Sequence, residues 1–343
     1  MRTLFLAASL LLPAPVLAAT SVDVVMSGLD NPRGLAFAAN GDLYVAEAGR
    51  GGTHPCLEVR GVAFCYGPTG AISRLRHGRQ QRVATGLPSL SDPAGAEVGG
   101  PNDISFQGGV GYVTVGLAGV APERRAELGT AGRALGHLLQ VTPAGQWHVI
   151  ADISAHEAAE NPAGGAIETN PFAVLAEPGA RLVTDAAGNS LLRVAASGRI
   201  RTVATFDSRP AAPTDAVPTG FVRGPDGALY VGQLTGAPFI EGTASVFRVV
   251  EGAAPTVWAT GFKTIIDIGF GEDGSLYVLQ HATGPMFFAG PGQLIRVAPD
   301  GSRSLVLGGL DRPTGLAVGP DGALYVSNRG VTAMAGEVLR IVP

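Results

Sequence analysis

Four carboxylates recur at comparable places in the chain: Glu47, Asp103, Asp185 and Asp267. Each stands where an apolar, β-branched segment begins or ends. Amides stand at similar places: Asn31, Asn102, Asn170, Asn189, Gln233, Gln280 and Asn328, with Thr219, Thr314 and one cation, Arg33. Carboxylate and amide oxygens are hard donors that suit Ca²⁺ or Mg²⁺. Four carboxylates around one narrow mouth repel unless a cation intervenes. The expectation is a divalent cation, Ca²⁺ first, on Glu47, Asp103, Asp185 and Asp267. Arg33 and the amides Asn31, Asn102, Asn170, Asn189, Gln233, Gln280 and Asn328 are then candidate ligand contacts. The competing role of Asp and Asn at such places is to cap turns.

Other chemistries find less material. The histidines at 54, 77, 137, 148, 156 and 281 form no close ligand pair. His281 follows strand B of blade 5 and could face the channel, but a single histidine at a strand end is more often ordinary surface. There is no Gly-x-Ser-x-Gly elbow and no phosphate-cradling glycine loop. The two cysteines, Cys56 and Cys65, lie in one Gly-rich stretch. Zinc would need two further ligands, and only His54 is close in sequence. A disulfide is expected, worth roughly 2–3 kcal/mol in the chain-entropy model.

The elements that must carry these residues are β-hairpins. Gly-Pro-Asp-Gly-Ala-Leu-Tyr-Val occurs at 224–231 and again at 319–326, with variants at 39–45 and 272–278. Pro presets φ, Asp caps its own backbone and Gly supplies positive φ, so each is a tight turn between strands. The unit has four strands, A to D. Strand A recurs at Asn31–Phe37, Pro101–Phe106, Asn170–Val174, Pro218–Val222, Ile265–Phe270 and Pro313–Val318, which makes six units. Strand C carries an arginine at one register in Arg74, Arg193, Arg248, Arg296 and Arg340, a shared structural role. The sixth strand D is missing after Val338–Ile341, and Val22–Leu29 matches it. The fold class is all-β: a six-bladed β-propeller whose N-terminal strand completes the last blade and closes the ring.

The A–B and C–D turns are short. Chain is inserted between B and C at 46–70 and 116–136, and between D and A at 88–100, 153–169 and 207–216. In a meander these connections share one face, which is the expected binding face for a small molecule or protein. Residues 1–18 read as a signal peptide: Met1-Arg2-Thr3, an apolar run to Leu12, then Val16 and Ala18 before the cut. Residues 19–343 are then one exported domain, periplasmic or extracellular, with no membrane span and expected as a monomer. A net charge of −4 and the absence of any basic run argue against nucleic acid.

The mature chain resembles the ScyD/ScyE family of exported propellers. The resemblance is carried by Leu29–Phe37, Tyr44–Gly52, Cys65–Arg74, Asp215–Gly220, Tyr230–Gly236 and Tyr325–Asn328. It implies a six-bladed, NHL-like fold and a binding or scaffold role, with no established reaction. The broader similarity to SMP-30-like lactonases implies an alternative. That is a metal-dependent hydrolase of lactones or related esters at the channel mouth, which Glu47, Asn102, Asn170, Asp185 and Asp267 could serve. Quinone-dependent sugar dehydrogenases share the fold but need a catalytic His and a basic cofactor pocket.

Overall fold

A computed structural model describes residues 20–207 and 214–343. The expected signal peptide lies outside the described residues. The chain forms six antiparallel sheets arranged as the blades of a propeller. Their innermost strands are Pro32–Phe37, Pro101–Gln107, Pro171–Glu177, Pro218–Arg223, Ile265–Phe270 and Gly315–Val318. The first strand, Ser21–Leu29, pairs antiparallel with the last, Gly336–Val342, so that Val22 faces Ile341 and Met26 faces Val338. Met26 and Leu29 are buried there, which closes the ring by packing as well as by hydrogen bonds.

The repeated turn works as its residues require. Gly227 and Gly322 take φ of 81° and 74°. Asp226 Oδ1 accepts the Ala228 N–H at 3.1 Å, and Asp321 Oδ1 accepts that of Ala323 at 3.2 Å. The other oxygen of each aspartate takes the strand C arginine: Arg248 Nε at 2.8 Å and Arg340 Nη2 at 2.7 Å. Arg296 does the same to Asp273 at 2.7 Å. The recurring arginine therefore locks the third strand to the turn of its own blade. Arg193 is the exception and reaches Glu251 at 3.0 Å.

Blade 1 differs from expectation. The stretch 46–70 is not a plain loop, because strand C runs back to Val62 and pairs with a further strand, Cys56–Val59. Leu57, Val59 and Phe64 alternate inward and are buried, and Arg60-Gly61 forms the positive-φ turn between the strands. Cys56 sits directly opposite Cys65, and the two form a disulfide. No helix among the described residues is long and apolar enough to cross a membrane.

Candidate ligand site at the channel mouth

Counted from Pro32, Pro101, Pro171, Pro218, Ile265 and Pro313, the second residue of each inner segment, on the long-loop face, follows an alternation. In blades 2, 4 and 6 it is short and polar and clips the ring. Asn102 Nδ2 donates to Pro171 O at 2.8 Å, Thr219 Oγ1 to Ile265 O at 2.7 Å and Thr314 Oγ1 to Pro32 O at 2.7 Å. Each acceptor is the first residue of the next blade. In blades 1, 3 and 5 the same place holds Arg33, Phe172 and Ile266, none of which donates to the first residue of the next blade. Phe172 packs on the apolar cluster of blades 5 and 6 that contains Ile266, so it reaches across the mouth. Arg33 turns back to blade 6, where Nη1 donates to Gly330 O.

The third residue forms a deeper ring. It is Gly34, Asp103, Ala173, Gly220, Asp267 and Gly315 in blade order. Asp103 and Asp267 are three blades apart and so oppose each other across the axis. Each caps its own strand and pins the next blade. Asp103 accepts Ile104 N–H and Val174 N–H, both at 2.8 Å, and Asp267 accepts Ile268 N–H at 2.9 Å and Leu316 N–H at 2.7 Å. Glycine is required beside them. A Cβ on Gly34 would lie 1.9 Å from Asp103 Oδ1, and one on Gly220 would lie 2.0 Å from Asp267 Oδ1. Enclosure by protein pushes the Asp267 carboxyl up to about 7, against the pull of its two N–H donors. Asp103 is raised well above the carboxylate range by burial and then by the charge of Asp267. Both side chains keep partial contact with the channel.

Glu47 and Asp185 do not join that ring. Glu47 is fully buried at the end of its strand. It accepts Asp30 N–H at 2.7 Å, Ser73 Oγ at 2.6 Å and Arg82 through Nη2 at 2.6 Å and Nε at 3.0 Å. Asp185 accepts Asn170 N–H at 2.6 Å, Thr169 Oγ1 at 2.5 Å and Gly188 N–H at 3.1 Å. Burial raises its pKa, and these donors partly offset the rise. The expected four-carboxylate cation site is therefore not assembled. Among the described residues no three His, Cys, Asp or Glu side chains are placed to hold a metal. The physical reason is that backbone donors and Arg82 already occupy the oxygens.

Most of the amides also serve backbone. Asn328 Oδ1 accepts Asp311 N–H at 2.9 Å, Asn189 Oδ1 accepts Val217 N–H at 2.9 Å and Asn170 Oδ1 accepts Leu117 N–H at 3.2 Å. Asn31 holds Gly49 O through Nδ2 at 2.8 Å. Gln233 and Gln280 end strand B in blades 4 and 5, at the place where Glu47, Asp185 and Asn328 cap in blades 1, 3 and 6. Both are buried, and Gln233 Oε1 has no partner among the described residues.

Two groups escaped the sequence reading. His281 is buried, not on the surface, with Nδ1 at 2.9 Å from Pro313 O and its ring edge-on to Phe288 at 5.0 Å. Burial holds its pKa down to about 4, opposed by the bond to Pro313 O. Phe288 stacks on Phe239 at 4.3 Å between the B–C loops of blades 4 and 5. Phe287 and Met286 beside it are exposed. The other missed group is Glu157, whose helix, Ile153–Glu160, hid in a connection. Burial, then Asp185, raises Glu157 to about 7.

A separate cavity of about 530 Å³ lies between blades 1 and 2, lined by Tyr66, Pro88, Arg133, His137 and Trp147 among others. His137 there already contacts Asp152 at 3.2 Å, and none of the predicted site residues reaches this cavity.

No family model and no curated protein matches the chain, so the family resemblance gains no support from them. Solved structures do match. The soluble aldose sugar dehydrogenase of Escherichia coli is 14% identical, covering 95% of this chain and 100% of that one, with a TM-score of 0.57. A gluconolactonase of Xanthomonas campestris is 12% identical, covering 95% and 91%, with a TM-score of 0.56. Virginiamycin B lyase of Staphylococcus aureus is 13% identical, covering 95% and 100%, with a TM-score of 0.52. At such identities the likeness is one of fold: a propeller scaffold shared by lactonases, lyases and dehydrogenases.

Proposed function

We propose that this protein is an exported binding propeller that takes a small molecule at the long-loop mouth of its channel. The observation that supports it is the broken alternation at the mouth. Three blades spend their second residue on closing the ring, and the other three present Arg33, Phe172 and Ile266 instead. One cation beside two apolar side chains is the composition of a ligand site rather than of a clip. The uncapped Gln233 adds a polar group with unused hydrogen-bonding capacity. The reading agrees with the ScyD/ScyE resemblance and with the disulfide.

Crystals soaked with a fragment library test it. Fragments gathered on Phe172, Ile266 and Arg33 are expected. Fragments found only in the Tyr66–Trp147 cavity, or none at all, would remove the mouth as the site. Mature protein recovered outside the cytoplasm should begin at Ala19.

A metal-dependent lactone hydrolase is the second reading. It is favoured by one observation, the opposed pair Asp103 and Asp267, whose mutual repulsion a cation would relieve. Glu47 and Asp185 take no part in it. Melting with calcium, magnesium or manganese against chelator decides this reading. A bound divalent ion raises stability by about 2.7 kcal/mol at a hundredfold excess over Kd. An unchanged melting temperature removes the hydrolase.

A further inference from the structure

We propose that the ligand taken at the mouth is an organic anion, with its acid group on Arg33 and its apolar body on Phe172, Ile266 and the Phe288 wall. The inference rests on the reading that the mouth binds a small molecule, and it names the class.

Arg33 carries the argument. It is 9% exposed, yet no carboxylate pairs with it. Its protein acceptors are two carbonyls, Pro32 O at 3.4 Å and Gly330 O, both reached by Nη1. Nε and Nη2 have no acceptor among the described residues, so a fork of donors is left for something else. The residues outside the description, 1–19 and 208–213, contain no Asp or Glu that could supply a partner. A buried charge is ordinarily paired. Burial alone lowers the Arg33 pKa to about 10, which is the mark of a guanidinium without its counter-ion.

Arg33 is not isolated in this respect. Lys263 is 1% exposed and gives Nζ to Gly284 O, while Arg312 gives Nη1 to Gly290 O at 2.7 Å. Both acceptors lie in the B–C connection of blade 5. Arg33 and Arg312 both act on His281, and Arg312 acts on Lys263. The four groups therefore share one field along blades 5, 6 and 1. Glu241 is the carboxylate that acts on Lys263, and it stands exposed. Many arginines elsewhere are neutralised, among them Arg82 by Glu47, Arg125 by Asp152, Arg223 by Glu177, Arg248 by Asp226 and Arg340 by Asp321. The chain as a whole is negative, at −4, so a positive arc at the mouth does not follow from composition.

The apolar half of the site is on the same face. Phe172 and Ile266 hold the alternate places of the register that Arg33 occupies and share one apolar cluster, and Phe288 touches His281. His281 gives its Nδ1–H to Pro313 O, so the neutral ring presents Nε2 only as an acceptor and the acid group rests on Arg33 alone. Carboxylates and phosphate esters share the required chemistry, a planar or tetrahedral set of acceptor oxygens on an apolar body.

The test uses benzoate, phenyl phosphate and their neutral counterpart benzamide, titrated to millimolar concentration into the mature full-length protein. The Arg33 Nε–H resonance and calorimetry are the readouts. Benzoate or phenyl phosphate should bind at least tenfold more tightly than benzamide and should move the Arg33 resonance; whichever wins identifies the acid group. Arg33→Gln should erase the preference for the anion, and Phe288→Ala should weaken all three probes alike. Benzamide binding as well as the anions at the mouth would keep the small-molecule reading and overturn the anion. No response from any probe would overturn both. A circular-dichroism melt of each variant separates lost binding from lost fold.

Discussion

On blades 1 and 3 strand B ends in an acid, and the acid is consumed. Glu47 takes Arg82, a serine hydroxyl and a backbone N–H, and Asp185 takes a threonine and two backbone N–H groups. Arg33, Lys263 and Arg312, on blades 1, 5 and 6, are instead cations that hold carbonyl oxygens and no carboxylate among the described residues. Both regions lie at the same height of the same repeat. The difference teaches how to tell a polar group that builds the fold from one held for a ligand. The first has its full complement of partners; the second is buried with donors left over.

The comparison presupposes a closed ring, and breaking closure should have the largest effect. Removing residues 20–30 exposes the edge of Gly336–Val342 and the pocket of Met26 and Leu29. Two buried side chains and a strand ladder together are worth at least ~5 kcal/mol. Insoluble protein, or a melting temperature lowered by more than ten degrees, is expected. A truncated chain that melts like the intact one would show that the first strand does not close the ring.

Next in size is the consumed acid. Arg82→Met leaves Glu47 fully buried beside the Asp30 carboxylate without its guanidinium. Breaking a buried pair costs about 3–5 kcal/mol, and the partial exposure of Arg82 reduces this to roughly 2–3 kcal/mol. Urea denaturation measures it. The double variant Arg82→Met, Glu47→Leu should recover part of the loss. A single variant within error of the parent would mean that the acid side is no better satisfied than the cationic side.

Two enclosed groups of blade 5, Asp267 and His281, respond to pH in opposite senses. Asp267 is raised to about 7 in the folded state, so the folded protein holds a proton that the unfolded chain releases near pH 4. Its contribution to stability is present at low pH and is lost as pH rises from about 4 to about 7. His281 is lowered to about 4, so the unfolded chain takes up a proton that the folded protein refuses. Its contribution is present above about 6.5 and is lost as pH falls towards 4. The two slopes oppose each other in the parent. Relative to the parent, Asp267→Asn should gain stability with rising pH, and His281→Gln should lose it, each by up to about 3–4 kcal/mol over this window. Urea melts at several pH values, in chelator, read these differences. Two variants with parallel pH profiles would refute the assignment of opposite burial costs.

The architecture was legible because its signals are local and repeated. Pro-Asp-Gly between alternating strands says hairpin wherever it stands, and the missing last strand could be matched to Val22–Leu29 by pattern alone. The site was legible only in part. Whether an aspartate faces the channel or a backbone N–H depends on donors that come from another blade. Glu47 meets Arg82 from a strand 35 residues on. Asp103 meets Val174 from 71 residues on. His281 looked like surface because Pro313, Phe288 and the loop carrying Phe239 bury it from a distance. The Cys56–Val59 strand was masked by the glycines around it, although Leu57, Val59 and Phe64 carry the alternation. The sequence carries one further signal, because Arg33, Asn102, Phe172, Thr219, Ile266 and Thr314 alternate at a single register.

The smallest effect is the sharpest test of the contrast, because it pits two residues of that register against each other. Thr219 is a clip, and Thr219→Val removes its bond to Ile265 O in a buried place. Losing a buried hydrogen bond and leaving the carbonyl unmatched costs about 1–2 kcal/mol. Arg33→Gln removes a longer side chain and a bond to Gly330 O, yet it also removes a charge that burial penalises. Gain and loss should cancel to within about 0.5 kcal/mol, and a slight rise in melting temperature is admissible. The two variants share a register, a depth and a fold, so the difference isolates what each side chain does there. If Arg33→Gln proves as costly as Thr219→Val, Arg33 is one more structural clip.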